Sequence, residues 1–156
     1  MNSDLIRIRK IADYQFGQNT GEILFPENVK FEYSRKTGKI RFIYSEDILL
    51  AALRPTDGNL TLTIAGAERL ISSDLSLGFT VKIIDEVAEF IEDGKNVMAK
   101  HVNDAGENIR PGDEVIIVNS NNQVLGVGKS LFNRKEMLSF KVGAAVRTRR
   151  GKNKNR

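Results

Sequence analysis

The stretch NIRPGDEV, residues 108–115, gives the clearest indication of how the second half of this chain folds. Proline pre-sets the backbone of a turn and glycine supplies a special backbone conformation, so the stretch predicts a tight turn that leads into a strand. Farther on, GVG at residues 126–128 lies in a following strand, and GAAV at residues 143–146 opens a last strand that carries arginines. Many short strands with short helices on the rim predict a small β-barrel.

The sequence on either side of this turn supplies the other elements of the barrel. Asp85 is a candidate N-cap for a helix over residues 86–92, and Gly94 follows where a left-handed C-cap is expected. Asn133 is placed to cap a second helix that runs to residue 140. The expected strands cover residues 80–84, 96–102, 114–118, 123–131 and 144–149.

The first half of the chain has an α+β pattern, with helices that flank an antiparallel sheet. Apolar residues from Leu5 to Tyr14 recur at near-helical spacing, and Ser3 is a candidate N-cap. The dipeptide Asp57-Gly58 is typical of a tight turn, and it lies between the expected strands at residues 48–53 and 60–64. The expected strands cover residues 29–33, 40–44, 48–53 and 60–64, and a short helix covers residues 65–71. We expect most of the aromatic side chains of this half, together with Phe79 of the second half, to lie in the core. They are Tyr14, Phe16, Phe31, Tyr33, Phe42, Tyr44 and Phe79.

Composition excludes several classes of protein. The 156 residues are 40% hydrophobic and 28% charged, which suits one large domain or two small ones. The lack of cysteine excludes disulfides, thiolate metal sites and cysteine nucleophiles, and it favours a cytoplasmic location. The first residues lack the apolar core of a signal peptide. No apolar run approaches the ~20 residues of a membrane span, so we expect no membrane partner.

Positive charge is concentrated at the end of the sequence. Residues 147–156, RTRRGKNKNR, contain six Lys or Arg and no acidic residue, whereas the rest of the chain has 18 basic and 20 acidic residues. Such a cluster attracts polyanions. The alternative is a solvated tail that only keeps the protein soluble.

The second half resembles a PUA domain, the small RNA-binding β-barrel attached to many tRNA- and rRNA-modifying enzymes. The resemblance covers residues 78–150, and no single motif would be specific alone. It implies a β pseudobarrel with two short helices. The matching positions are Gly94 with Val97, Lys100 with Val102, residues 109–115, Gly128, Glu136 with Met137, and residues 143–146.

The first half resembles the module that precedes the PUA domain in archaeal tRNA-guanine transglycosylases, the enzymes of the archaeosine pathway. The catalytic barrel of that family, with its aspartates and zinc ligands, is not in this sequence. We therefore expect residues 1–76 to form the first module, residues 77–150 the PUA domain and residues 151–156 a basic tail. The motifs that occur in family order are ADYQFG (12–17), SRKTGKI (34–40), LRPTDG (53–58) and LTIAGAERL (62–70).

The PUA resemblance implies a grip on the acceptor stem and 3′ end of tRNA. Guanidinium groups suit phosphate oxygens because they donate two hydrogen bonds at once. A glycine lets a nucleic-acid backbone approach closely. His101, the only histidine, can stack on a terminal base, with a solvent-exposed or structural side chain as the alternative. The candidate RNA-binding residues are Gly94, Lys95, Lys100, His101, Arg147, Arg149 and Arg150, joined by a first-module basic patch of Arg35 and Lys36 with Lys39 and Arg41.

The sequence indicates no catalytic residue, no cofactor and no metal site. Asp13 and the adjacent pair Glu46 and Asp47 have no basic partner in evidence, so helix caps or solvated strand ends explain them. One histidine without cysteine argues against a bound metal. The GVG at residues 126–128 lacks the rest of a phosphate-binding fingerprint.

These residues and resemblances predict a non-catalytic tRNA-docking subunit or accessory factor for tRNA modification, in the archaeosine transglycosylase system. Its partners would be tRNA or another structured RNA and a separate transglycosylase catalytic subunit. The alternative is an independent PUA-type factor in rRNA processing or ribosome maturation. A third class, an enzyme with a hidden acid–base site, predicts turnover by the isolated chain. Homodimerisation stays open, because no residue pattern settles it.

Overall fold

An amphipathic helix, α1 (Ser3–Phe16), opens the chain in the computed structural model, which describes residues 2–73 and 77–153. One stripe of the helix, with Leu5, Ile8 and Ala12, is buried, as the three-to-four-residue spacing predicts. The N-cap is Asn2, whose side chain accepts a hydrogen bond from the backbone N–H of Asp4. The expectation that Ser3 caps the helix is therefore wrong, because Ser3 is already its first residue.

A second helix, α2 (Thr20–Leu24), lies where the sequence indicated only an exit from α1. It packs tightly on α1, because a Cβ added at Gly21 would overlap the carbonyl oxygen of Arg9. The backbone N–H of Gly21 donates to Asp13 Oδ1 at 2.7 Å. Asp13 therefore joins the two helices through a hydrogen bond to the backbone.

The first of two units, Met1–Leu75, is completed by an antiparallel sheet in the order β1-β2-β3-β4 and by helix α3. Glu46 and Asp47 both have positive φ, 51° and 66°, and form the two-residue turn between β2 and β3. Thr63 caps α3, so the last strand ends two residues earlier than expected. The elements are β1 (Lys30–Tyr33), β2 (Ile40–Ser45), β3 (Ile48–Leu53), β4 (Leu60–Leu62) and α3 (Ile64–Ile71).

Not all aromatic side chains of the chain lie in the core. Phe16 and Phe79 are buried, whereas Tyr14 is 93% exposed and Tyr33 is 46% exposed. Tyr14 lies on the solvent side of α1, two residues from the buried stripe. The expectation of a core position is wrong for Tyr14, because one apolar stripe is enough to seat the helix on its sheet.

The second unit, Ser76–Arg156, is a six-stranded sheet in the order β6-β10-β9-β8-β5-β7. All pairs are antiparallel except β5 with β8. This sheet forms a near-closed pseudobarrel that carries a few short helices. Together with the antiparallel sheet and helices of the first unit, it confirms the expected α+β fold class. The elements are β5 (Thr80–Ile83), a 3-10 helix (Asp85–Val87), α4 (Ala88–Glu92), β6 (Val97–Met98), a 3-10 helix (Ala99–His101), β7 (Val102–Ala105), β8 (Glu114–Val118), β9 (Val124–Ser130), α5 (Arg134–Ser139) and β10 (Ala144–Gly151).

Helix α4 ends on the glycine that the sequence indicated. Gly94 has φ 94°, its N–H donates to Ile91 O at 2.9 Å, and the N–H of Lys95 donates to Phe90 O at 2.9 Å. These two bonds form a Schellman motif, so the expected left-handed C-cap is confirmed. Asp85, in contrast, caps no helix. Its carboxylate accepts hydrogen bonds from the backbone N–H and the hydroxyl of Ser120, in the turn between β8 and β9.

The strand expected over residues 96–102 is interrupted. Val97–Met98 pairs with β10, whereas Val102–Ala105 pairs with β5, near the other end of the strand order. The 3-10 helix Ala99–His101 carries the chain from one partner strand to the other. The prediction of one continuous strand is therefore wrong, because the barrel closes at this point and the backbone must change partners.

Glycines and caps hold the remaining elements in place. A Cβ at Gly128 would overlap the carbonyl oxygen of Arg147, so β9 and β10 approach closely there. The predicted cap of α5 is confirmed as a capping box, in which Asn133 and Glu136 bond each other's backbone N–H.

Some features expected from the sequence fall at the ends of the described ranges. The expected domain boundary at residue 76 and residues 154–156 of the expected basic tail lie outside the described residues. Within residues 2–73 and 77–153, none of the helices has both the length and the apolar composition of a membrane span.

Candidate nucleic-acid interface

The candidate RNA-binding residues of the second unit are distributed along one strand, β10. Near its start, the backbone N–H of Ala99 donates to Gly143 O at 2.9 Å, which places Lys100 and His101 there. At its end, a Cβ on Gly151 would lie 2.6 Å from the backbone nitrogen of Gly94. The eight residues of β10 lie between these two groups. The structure therefore brings Gly94 and Lys95 to one end of β10 and Lys100 and His101 to the other.

Arg147 lies between these two groups, on an exposed position of β10. It is directly opposite Lys129 of β9, and Lys129 is in turn opposite Glu114 of β8. Among the described residues, neither Arg147 nor Lys129 has an ion-pair partner. Two side-by-side cations on neighbouring strands form a surface suited to phosphate oxygens. We call Arg147 and Lys129 the β9–β10 cation pair.

Lys129 was missed by reasoning from the sequence. It is the exposed residue of a strand whose other six residues are buried. The available signal was a lysine near the end of the run VLGVGKS, residues 124–130, which is otherwise apolar or small. That signal indicates exposure, but its position beside Arg147 depends on the pairing of β9 with β10.

Arg149, two residues from Arg147, is engaged by the barrel itself. Its Nη1 lies 2.7 Å from Glu114 Oε1 and its Nη2 lies 2.5 Å from Glu114 Oε2. The Glu114 side chain is only 5% exposed, whereas that of Arg149 is 39% exposed. A buried carboxylate requires a cation and hydrogen bonds, and this bidentate geometry supplies both. Arg149 therefore has a structural role that the sequence did not reveal.

The other candidates of the second unit differ in accessibility. Lys95 and Lys100 are exposed, while His101 and Arg150 are half-buried. Arg150 lies opposite Val127, after a bulge in the pairing of β10 with β9. The backbone N–H groups of Gly94 and Lys95 are already used by the Schellman motif, whereas the Lys95 ammonium group is available to a ligand.

The basic patch of the first unit lies on the hairpin between β1 and β2. Arg35 and Lys36 are exposed in its turn, and the N–H of Lys36 donates to Ser34 Oγ at 3.3 Å. Arg41, on β2, has its guanidinium carbon 5.4 Å from the centroid of the Phe42 ring. This patch combines exposed cationic side chains with an aromatic face.

The acidic side chain of Asp104, on β7 of the second unit, serves a structural contact. Arg134 of α5 donates to Asp104 Oδ1 and to the carbonyl oxygen of Ala105. The pKa of Asp104 is lowered, first by the hydrogen bond from the N–H of Ala105 and then by Arg134. In the part of the chain that the structure describes, no three His, Asp or Glu side chains are grouped to hold a metal.

Two family models match this chain in succession. The family described as the patch-forming domain C2 of tRNA-guanine transglycosylase matches residues 6–75, and the PUA domain matches residues 79–152. The tRNA-guanine(15) transglycosylase of Methanothermobacter thermautotrophicus is 45% identical over 148 residues, which are 95% of this chain. The chain spans only 23% of the length of that relative.

Solved structures show the same fold. A hypothetical protein of Pyrococcus horikoshii has a TM-score of 0.78 at 22% identity, over 97% of this chain and 92% of the other. A PUA domain of Aeropyrum pernix, solved with tartrate, has a TM-score of 0.71 at 15% identity, over 99% of this chain and 85% of the other. At such low identity, these likenesses carry the fold alone.

Proposed function

We propose that this chain, a PUA-domain protein that resembles the C-terminal modules of archaeal tRNA-guanine transglycosylases, docks tRNA for that modification reaction. Both resemblances support an RNA-binding or tRNA-modification role. The observation that carries the proposal is the β9–β10 cation pair, two exposed cations without an ion-pair partner among the described residues of the PUA barrel. Such cations bind backbone phosphates, which set affinity and orientation rather than sequence preference.

In this proposal the RNA follows β10. Arg147 and Lys129 bind phosphate oxygens near the middle of the strand. Lys100 and His101, at its start, receive the acceptor end, where the imidazole stacks on a terminal base. Lys95 and the backbone around Gly94 mark the other end of the path. Arg149 acts indirectly, because its ion pair with Glu114 fixes the strand that presents Arg147.

The chain itself supplies binding and not chemistry. The base exchange belongs to a transglycosylase catalytic domain, which the first unit orients relative to the bound tRNA. The exposed hairpin with Arg35 and Lys36 adds phosphate contacts on that unit. We assign this complex to the cytoplasm.

The first experiment is capture of the untagged chain from native cells by an antibody, with sequencing of the bound RNA and identification of the bound proteins. We expect tRNA together with a transglycosylase catalytic polypeptide. The matched control is the double variant Lys129→Glu and Arg147→Glu, which should lose the RNA and keep the protein partner. Recovery of rRNA precursors without that enzyme would contradict the proposal and support the ribosome-maturation alternative.

A further inference from the structure

A second site of a different kind lies in the first unit. A cleft of about 480 Å³ opens between α1, the β1–β2 hairpin and the turn that joins β3 to β4. Arg7 comes from α1, Lys39 and Arg41 from the hairpin, and Arg54 from the start of the turn between β3 and β4. Three separate elements thus contribute four cationic residues to the lining of one cavity.

The charge of this cleft is strongly positive. The acidic residue in its lining is Asp57, and its Oδ2 is already paired with Arg54 Nη2 at 2.8 Å. The other carboxylate oxygen, Oδ1, accepts the backbone N–H of Asn59 at 2.9 Å. Arg7, Lys39 and Arg41 have no ion-pair partner among the described residues, and the Arg41 guanidinium lies over the Phe42 ring.

Arg54 offers a further donor. Its Nε is buried and has no hydrogen-bond partner among the described residues. Buried donors without partners are uncommon, because each costs the free energy of its lost hydration. A ligand oxygen would reach this donor only if the Arg54 side chain moved, because the Nε atom has almost no solvent-accessible surface.

The floor of the cleft is apolar. Ile40 and Leu53 are buried beneath it, and Ile11 and Pro55 complete the apolar lining. The volume falls within the ~300–1,000 Å³ of sites that take small molecules. An apolar face beside a cluster of cations suits a ligand with one flat apolar part and one anionic part.

We infer that this cleft binds a single nucleotide, with its phosphate against Arg7, Lys39 and Arg41 and its base against the apolar floor. This inference deepens the proposed function, and it rests on that function for the source of the nucleotide, which is the bound RNA. A free nucleoside monophosphate has the same chemistry and is the other source. The cleft would hold one RNA nucleotide on the first unit, independently of the phosphates bound by β10.

The test uses the full chain labelled with ¹⁵N. Amide spectra are recorded while adenosine, guanosine, cytidine and uridine 5′-monophosphates, inorganic phosphate and the uncharged nucleosides are added separately. We expect shifts at Lys39, Arg54 and Gly58 with at least one monophosphate, at lower concentration than with phosphate or nucleoside alone. Arg41→Gln and Lys39→Gln should each weaken this binding about tenfold, because each removes a charge-assisted contact.

Lys10→Gln is the matched control, because Lys10 is an exposed cation on α1 that does not line the cleft. It should change monophosphate binding less than about twofold. Equal loss in Lys10→Gln and Arg41→Gln would overturn the inference, as would the absence of shifts at the cleft. Inorganic phosphate that binds as tightly as every nucleotide would also overturn it, since the base would then contribute nothing.

Measuring tRNA binding to the same variants shows whether the nucleotide in the cleft comes from RNA or from a free nucleoside monophosphate. If Arg41→Gln weakens both monophosphate and tRNA binding, the nucleotide belongs to RNA. If it weakens monophosphate binding alone, the cleft takes a free nucleotide. If tRNA binding depends on Arg147 while the cleft gives no shifts with any monophosphate, the proposed function stands and the cleft inference fails.

Discussion

At the scale of single residues, two arginines on one strand have different roles. Arg147 is exposed and has no ion-pair partner among the described residues, while Arg149 holds the buried carboxylate of Glu114 through two hydrogen bonds. Their positions in sequence are nearly equivalent. The difference arises because Glu114 of β8, the strand beyond β9, bonds the guanidinium of Arg149.

Replacing Arg149 should therefore affect stability more than replacing Arg147. Arg149→Gln leaves Glu114 without its bidentate partner, and we expect the free energy of unfolding to fall by about 2 kcal/mol. This is less than the ~3–5 kcal/mol of a fully buried pair, because Arg149 is partly exposed. Arg147→Gln should change it by less than about 0.5 kcal/mol. Urea unfolding measures both, and equal effects would show that the ion pair does not stabilise the barrel.

The hydrogen bonds of the Asp85 carboxylate predict that the stability of the second unit depends on pH. The pKa of its carboxyl group is lowered, first by the hydroxyl of Ser120 and then by the Ser120 N–H. Because folding lowers this pKa, the stabilisation is present above the unfolded value of about 3.9 and is lost as pH falls through the folded value. Asp85→Asn should flatten the decline of the urea midpoint below about pH 4. Ser120→Ala should flatten it partly, and an unchanged slope in both variants would contradict the assignment.

At the scale of elements, nearby residues determine where a helix ends, whereas the partner strands determine where a strand is interrupted. The C-cap of α4 and the N-cap of α5 follow from residues within a few positions of each helix end, and both agree with the sequence, whereas the expected N-cap at Asp85 does not. The break at Ala99–His101 has no such signal, because it is set by the change of partner from β10 to β5. Alternating apolar residues predict strand geometry, but they carry no information about which strand is the neighbour.

The close approach of β9 and β10 gives a prediction at this scale. A methyl group at Gly128 would overlap the backbone of Arg147 and lie 2.9 Å from Thr148 Cα. We expect Gly128→Ala to lower the free energy of unfolding by about 3 kcal/mol, the cost of overpacking a rigid core. Gly78→Ala is the control, since nothing lies within 4 Å of its Cβ position, and thermal unfolding should barely change. A neutral Gly128→Ala would mean that the two strands can separate without cost.

At the scale of the whole molecule, charge distribution matters more than net charge. The net charge is only +4, yet six of the 24 basic residues lie within residues 147–156. The first unit adds a separate set of cations around its cleft. Local clusters of one sign attract a polyanion even when the average charge of the chain is small.

Binding of tRNA should therefore weaken steeply with salt, because each bound phosphate releases condensed counterions. Arg147→Gln and Lys129→Gln together should reduce the slope of log K against log salt concentration by about two, one for each cation removed. Arg110→Gln, an exposed arginine elsewhere on the second unit, is the matched control. Filter binding at several salt concentrations gives the slopes, and an equal reduction in the control would argue against a defined path along β10.

Features that depend on near neighbours in the chain could be predicted from the amino-acid sequence, as the C-cap at Gly94 and the capping box at Asn133 show. The ordered motifs along the chain also indicated the family to which each half is similar. Which cations are exposed without an ion-pair partner among the described residues, and which hold the fold, depends instead on the three-dimensional arrangement. Arg149 meets a glutamate 35 positions away, and Arg147 meets Lys129 across a strand pair. Local sterics set backbone conformation, whereas the burial and partners of a side chain depend on which distant segments the fold brings beside it.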